Sequence, residues 1–359
     1  MKLGIITCSE AINYGTMLQA MALQKKIEDY GVDAEIVDYR FLEEGIKSYS
    51  PFAVKHFKSK VASILFYFIR RKKALAFNTF KTQVMKMSPK TLYYADELGL
   101  NSLSKTYDSF CIGSDQVWNP KFKSMNGFLL EFLPEHIYRF SYASSIGVQS
   151  IDEEYKIRLK KALSKFAYIS VREKGAQKLI KSILDSDVEL VLDPTLLLTS
   201  DEWMKYEQKV SVKQNYILVY MMSHSSSIIR FAMKKAKEKS RMIYLLSDRL
   251  YIGKGIKNLL GISPQQFLYL YRNADCIITN SFHGTAFAIN FQKEFWVEYP
   301  CKEDDRLGTI LSLLELDSRR IEIEYPAPID FNRVNELLRI YRKNSIDYLE
   351  SALRNGKKH

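Results

Sequence analysis

The chain has 359 residues, 47% of them hydrophobic, and a formal net charge of +12. That length is about twice a typical domain and predicts two, each with ample apolar material for a core. The positive balance suits acidic small molecules, an anionic membrane surface or nucleic acid, without choosing among them. Cys8, Cys111, Cys276 and Cys301 are too scattered for a zinc motif or a redox CxxC pair, and most are expected as reduced core residues. Met1-Lys2 leads straight into a strand-like LGIIT, so no signal peptide is expected and the location is read as cytoplasmic.

Leu3 to Thr7 reads as a parallel strand, a helix runs from about Thr16 to Tyr30, and Gly31 ends it before a strand at Ala34 to Tyr39. The loop of this βαβ unit, CSEAINYG, is not GxGxxG, and Gly253 and Gly255 later lack a third glycine, so dinucleotide binding is unsupported. Asn13 and Gly15 instead suit a loop that brings backbone and a carboxamide to a ligand, with an ordinary turn as the alternative. Residues 50–83 read as a helical insertion. Within it, VASILFYFI at 61–69 is less than half a membrane span, flanked by Lys55, Lys58 and Lys60 and by Arg70, Arg71, Lys72 and Lys73. This pattern fits a basic amphipathic helix, either solvated and packed on the domain or lying on an anionic membrane.

Ser109 to Gly113 forms another strand, entering the loop GSDQVWNP. Asp115, Gln116, Trp118 and Asn119 there place a carboxylate, two amides and an indole at one strand end, suited to a sugar ring or simply to a capped turn with a packed Trp. A strand near Phe140 to Ala143 precedes SSIG, a charged helix covers about 152–164, and a strand at Ile169 to Val171 ends in Arg172-Glu173. A guanidinium at a strand's carboxyl end can fork a carboxylate or phosphate, or pair with a neighbouring acid. Val188 to Leu192 closes the first set, with Asp193-Pro194-Thr195 as the turn out.

A second set begins after a linker at 196–215, with strands at Tyr216 to Tyr220 and Met242 to Leu246 and helices at Ser226 to Lys239 and Pro264 to Asn273. NADCIITNSFHGTAFAINF then gives a buried strand at Cys276 to Thr279, a helix cap at Asn280-Ser281, and an apolar helix from Thr285 to Phe291. His283 therefore falls between a strand's carboxyl end and a helix's amino end, where free N–H groups and the helix dipole favour anions. A strand at Phe295 to Val297 has Glu298 at its end, and 331–359 forms a terminal helix. The expected architecture is α/β: two Rossmann-like doubly wound domains, 1–195 and 216–330, facing a cleft.

INYGTMLQAMALQ, CIGSDQVWNP, YASSIG, SVREKGA, DPTLLL, ITNSFHGTAFAINF and DDRLGTIL, in this order, resemble the polysaccharide pyruvyl transferase family over about Met1 to Leu316. The resemblance implies a glycosyltransferase-B-like fold and transfer of the pyruvyl group of phosphoenolpyruvate to a saccharide, usually as a cyclic ketal across two hydroxyls. It aligns Arg172 with the family's arginine after the strand and His283 with its histidine before glycine. Thr16-Met17 stands where some members carry an acid, so no carboxylate role falls there. The N-terminal domain is read as the acceptor side and the C-terminal domain as the donor side.

Such chemistry needs cations for the carboxylate and phosphate, a proton donor, and an acid to orient sugar hydroxyls. Arg172 and the helix start at His283 suit the first need, His283 the second, and Asp115 or Glu298 the third. Asn13, Gly15, Gln116, Trp118, Asn119, Ser281, Gly284 and Thr285 are expected to line the substrates. Arg306 is a second phosphate clamp or a partner of Asp304 or Asp305. No cofactor and no metal are required, phosphoenolpyruvate being a co-substrate; Glu303-Asp304-Asp305 lacks the context of a metal motif. Acceptors in this chemistry are often lipid-linked, which keeps peripheral contact of the 55–73 segment with an anionic membrane open. A transferase of the same architecture using a nucleotide sugar is the rival reading. A non-catalytic module holding anions or glycan ranks below it, and no nucleic-acid motif is present.

Overall fold

A computed structural model describes residues 1–40, 60–93, 96–121, 125–300, 304–323 and 325–358. Its contacts divide the chain into two compact units, one of Met1–Leu197 with Tyr341–His359, the other of Leu198–Ile340.

The first unit is built on a parallel sheet of β1 (Lys2–Ile6), β2 (Asp33–Arg40), β3 (Met87–Tyr93), β4 (Ser109–Ile112) and β5 (Tyr138–Ser141), in spatial order β3-β2-β1-β4-β5. The order reverses between β1 and β4. In open parallel sheets, loops leaving the carboxyl ends at such a reversal diverge and leave a crevice. Helix α1 (Tyr14–Glu28) returns from β1 to β2 with Leu18, Met21, Leu23 and Ile27 fully buried. A short pair, β6 (Ser170–Val171) with β7 (Glu189–Leu190), continues the sheet beyond β5 through bridges Phe140–Tyr168 and Ser144–Val171. Helix α2 (Lys60–Val84) leads into β3, helix α3 (Glu153–Leu163) into β6, and helix α4 (Lys174–Ile183) follows β6.

Residues 41–59, with Lys55 and Lys58, lie outside the described residues. On α2, Phe77 and Phe80 are buried whereas Phe68 and Leu75 are more than half exposed, so Phe68 is no core residue. Arg70, Arg71 and Lys72 are exposed, but Lys73 turns inward, its ammonium 5.1 Å from the centre of the Tyr14 ring. Among the described residues no helix is long and apolar enough to cross a membrane.

The second unit repeats the plan. Strands β8 (Tyr216–Met221), β9 (Met242–Ser247), β10 (Ile256–Asn258), β11 (Cys276–Thr279) and β12 (Glu294–Val297) are all parallel in the order β10-β9-β8-β11-β12, with the reversal between β8 and β11. Helices α5 (Ser226–Lys239), α6 (Pro264–Asn273), α7 (Phe282–Asn290) and α8 (Asp305–Leu313) connect or follow them. The inner strands β4, β8 and β11 are nearly continuous apolar runs, as parallel strands covered on both faces must be. Of the expected linker at 196–215, residues 198–215 pack into this unit: Trp203 is fully buried, its ring 5.1 Å from that of Phe287. A bare connection would not bury an indole.

Helix α9 (Phe331–Gly356) contains the boundary between the units, at Ile340 and Tyr341. Its latter half completes the first unit. The Tyr348 hydroxyl donates to the Ser141 carbonyl at 2.7 Å, the Tyr138 hydroxyl to the Ala352 carbonyl at 2.8 Å, and the Leu192 N–H to the Ser345 hydroxyl at 2.9 Å. Cys8, Cys111 and Cys276 are buried free thiols, and burial pushes each thiol pKa up, that of Cys276 to about 12. Cys301 lies outside the described residues.

Candidate functional site

At the reversal in the first unit, β4 and β1 run so close that a Cβ on Gly113 would meet the Thr7 Cβ at 2.8 Å. The chain then turns at Asp115, whose φ of 78° lies in the left-handed region that non-glycine residues seldom adopt. Its carbonyl accepts from the N–H groups of Val117 at 2.8 Å and Ser145 at 2.9 Å, which holds this backbone in place. Ser144 bridges both Asp115 and Val171, so the end of β6 lies level with Asp115 across the sheet.

Arg172, the next residue, reaches along that edge. Its Nη1 donates to Asp193 Oδ2 at 2.7 Å and to Ser114 Oγ at 3.2 Å, and its Nη2 to Asp115 Oδ1 at 3.2 Å. Glu173 Oε2 lies 3.8 Å from Nε. The guanidinium is 1% exposed. Burial alone would lower its pKa, but Asp193, Asp115 and Glu173 outweigh burial and raise it, so the charge is fixed. Asp193 is saturated: Oδ1 accepts from Thr195 N–H and hydroxyl at 3.0 and 2.7 Å, and Oδ2 accepts from Arg172 and from Ser114 Oγ at 2.8 Å. Glu173 Oε1 accepts from Ile146 N–H at 3.0 Å and steadies the adjoining loop.

Of the two expectations for Arg172, the structure shows the pairing with neighbouring acids. Three carboxylates surround it, and its role in this arrangement is counterion to acids. Asp115 retains a side-chain exposure of 14%. Its Oδ1 accepts the N–H of Gln116 at 2.9 Å as well as Arg172, and its Oδ2 accepts the Thr16 hydroxyl at 2.7 Å.

Several expected ligand contacts are spent on structure. Trp118 is fully buried, its Nε1 donating to the Phe128 carbonyl at 3.3 Å and its ring edge-on to Phe166, so no sugar can stack on it. Asn119 donates to Gln116 Oε1 at 2.8 Å and accepts from Lys121 N–H at 3.0 Å, which makes this pair a turn clasp. Asn13 caps α1, Oδ1 accepting from the N–H groups of Gly15 at 2.9 Å and Thr16 at 3.3 Å, and Gly15 is buried in the helix's first turn. The cap aims Thr16 at Asp115. Sequence reasoning missed Thr16 and Asp193; the one usable signal was that each follows a strand of the same sheet.

In the second unit, Asn280 ties the loops after β8 and β11 together. Its Oδ1 accepts from Met222 N–H at 2.9 Å, and its Nδ2 donates to the Ser223 carbonyl at 2.9 Å. Ser281 caps α7 by accepting from Gly284 N–H at 3.2 Å. His283 occupies the first turn, 6% exposed, its ring edge-on to Phe282 at 5.2 Å. A Cβ on Gly284 would meet Thr279 Oγ1 at 2.5 Å and Tyr271 Oη at 2.9 Å. The close approach there is of helix to strand, not of backbone to ligand. Thr285 is likewise internal, fully buried with its hydroxyl donating to the Ser281 carbonyl at 3.1 Å.

Glu298 follows β12 and accepts from the Ser227 hydroxyl at the start of α5. Arg306 forks Asp304, Nη2 to Oδ2 at 2.7 Å and Nε to Oδ1 at 3.2 Å, while Asp304 also caps α8. The open choice at Arg306 thus resolves to Asp304, and Asp304 is spent as a cap and ion pair; Glu303 lies outside the described residues.

Comparison with known proteins bears on this geometry. A family model described as polysaccharide pyruvyl transferase matches residues 13–299. Among solved structures, a UDP-GlcNAc 2-epimerase from Methanocaldococcus jannaschii is similar at 13% identity and a TM-score of 0.55, covering 95% of this chain and 93% of that one. The UDP-GlcNAc 2-epimerase from Neisseria meningitidis is similar at 13% identity and 0.54, over 99% and 100% of the two chains. At such identity the likeness speaks for the fold, which is of the glycosyltransferase-B-like class. No protein of curated function matches the chain in sequence.

Proposed function

The chain belongs to the polysaccharide pyruvyl transferase family, and from that premise we propose that it transfers the pyruvyl group of phosphoenolpyruvate to a saccharide of a cell-surface polysaccharide as a cyclic ketal. The observation that carries this reading is the extent of the family match. Residues 13–299 run from the α1 cap through both sheet reversals, taking in Thr16, Asp115, Arg172, Asp193, His283 and Glu298.

Asp115 accepts a proton from one sugar hydroxyl as its oxygen attacks the central carbon of phosphoenolpyruvate. The methylene carbon becomes a methyl group by taking up a proton, for which His283 is the donor. A second hydroxyl then attacks the same carbon as phosphate leaves. Of the two hydroxyl protons released, one balances the methyl group and the other departs with inorganic phosphate. The N–H groups at the start of α7, with His283, stabilise the phosphate. Every step uses side chains and backbone of the chain itself. The reaction belongs in the cytoplasm, with a lipid-linked acceptor, and we assign the exposed residues Phe68, Arg70, Arg71 and Lys72 of α2 to contact with an anionic membrane surface.

The test is incubation with phosphoenolpyruvate and a panel of lipid-linked or aryl glycosides. Release of inorganic phosphate with a matching pyruvyl mass gain on the glycoside is expected, and His283→Ala lowers turnover about a hundredfold or more. Binding of a uridine or guanosine diphosphate sugar, with no phosphate release from phosphoenolpyruvate, overturns the reading.

A further inference from the structure

We propose that Thr16 is a positioning residue that sets the proton state and the direction of the Asp115 carboxylate, an inference that rests on the role given to Asp115 above. Three observations converge on it. The Thr16 hydroxyl donates to Asp115 Oδ2 at 2.7 Å, a well-formed O–H···O bond. Oδ1 is engaged separately, by Arg172 Nη2 and by Gln116 N–H, so the two oxygens are held from different elements and the carboxylate plane cannot turn. The Asp115 backbone is itself fixed at a φ of 78°. Backbone held in a sparsely populated region persists only where its surroundings over-determine it.

Thr16 is in turn well placed to act. The Asn13 cap receives its N–H at 3.3 Å, its carbonyl accepts from Gln19 Nε2 at 3.0 Å, and that same amide donates to the Thr7 hydroxyl at 3.0 Å. Thr7 donates to the Ser114 carbonyl at 2.7 Å, next to Asp115. The start of α1 and the turn after β4 are thereby coupled on both sides of the Thr16–Asp115 bond.

A hydrogen bond to the ionised form favours that form, so its removal raises the Asp115 pKa. A base active only when ionised then loses activity at higher pH than before. Thr16→Val, which keeps the shape and removes the donor, is expected to move the acid limb of the kcat/KM profile upward by roughly one pH unit and to lower kcat about tenfold. Thr16→Ser, which restores the hydroxyl, returns the limb to its wild-type position. A Thr16→Val enzyme whose limb stays in place, at whatever activity, overturns the proposal; so does a Thr16→Ser enzyme that behaves like Thr16→Val. The carboxyl titration of Asp115, followed by carbon NMR and assigned by its loss in Asp115→Asn, reads the same upward shift without turnover. That measurement separates failure of this inference from failure of the pyruvyl-transfer reading, which would leave the NMR shift intact and the assay silent.

Discussion

At Arg172 one guanidinium, 1% exposed, faces the carboxylates of Asp115, Asp193 and Glu173. Breaking such a buried cluster from the cationic side leaves acids with neither water nor counterion. Arg172→Ala is therefore expected to destabilise the first unit by about 3–5 kcal/mol, read as a lowered denaturant midpoint, and to cost activity through Asp115. A variant as stable as the wild type would show that the acids are otherwise neutralised. That Arg172 and Asp115 both stand just past strand ends of the first unit was legible in the sequence. Their mutual engagement was not, because strand ends carry no record of lateral neighbours. Trp118 misled for a related reason: a loop position at a strand end says nothing about whether the indole turns outward or, as here, into the core.

Among the elements, one carboxylate joins three parts of the first sheet's edge. Asp38 on β2 accepts from Arg40 Nη2 at 2.8 Å, Lys81 Nζ of α2 at 2.6 Å and the Thr91 hydroxyl of β3 at 2.7 Å. Burial opposes its ionisation, yet the hydrogen bonds from Arg40, Lys81 and Thr91 outweigh burial and bring its pKa down to about 2. The unfolded chain binds that proton more readily, so the stabilisation, about 2 kcal/mol, is fully present above the unfolded carboxyl pKa near ~4 and is lost as pH falls toward 2. Asp38→Asn should lose about that much at neutral pH and flatten the decline between pH 4 and 2 in denaturant titrations; an unchanged decline would assign the acid sensitivity elsewhere. The two strands that sequence reading missed, β3 and β10, each lie at one edge of a five-stranded sheet. β3 reads MSPKTLY, with a proline and little apolar content, and β10 has only three residues. Edge strands are half solvated, so the apolar run that betrays a central strand is absent from them.

Over the whole molecule the charge of +12 is carried in part by the exposed arginines and lysine of α2. Each such residue near an anionic surface contributes about 1 kcal/mol, enough together for reversible, salt-sensitive adsorption and not for insertion. Wild-type protein should co-sediment with vesicles rich in phosphatidylserine at low salt. Replacing Arg70, Arg71 and Lys72 by Gln, with Lys73 left on the Tyr14 ring, should release it without unfolding. Equal partitioning of the two proteins would leave α2 as a structural helix alone.

Helix α9 also fixes an order in time. Residues 341–359 belong to the first unit but leave the ribosome only after all of 198–340 has been translated. At the usual pace of synthesis that delay is on the order of ten seconds. Throughout it the first unit lacks Tyr348, whose ring lies 6.2 Å from that of Tyr142, and Ala352, whose carbonyl accepts from the Tyr138 hydroxyl. The second unit can close as soon as its own residues emerge, whereas the first, begun earlier, is finished later. A nascent chain in that interval exposes aromatic surface that the finished chain covers.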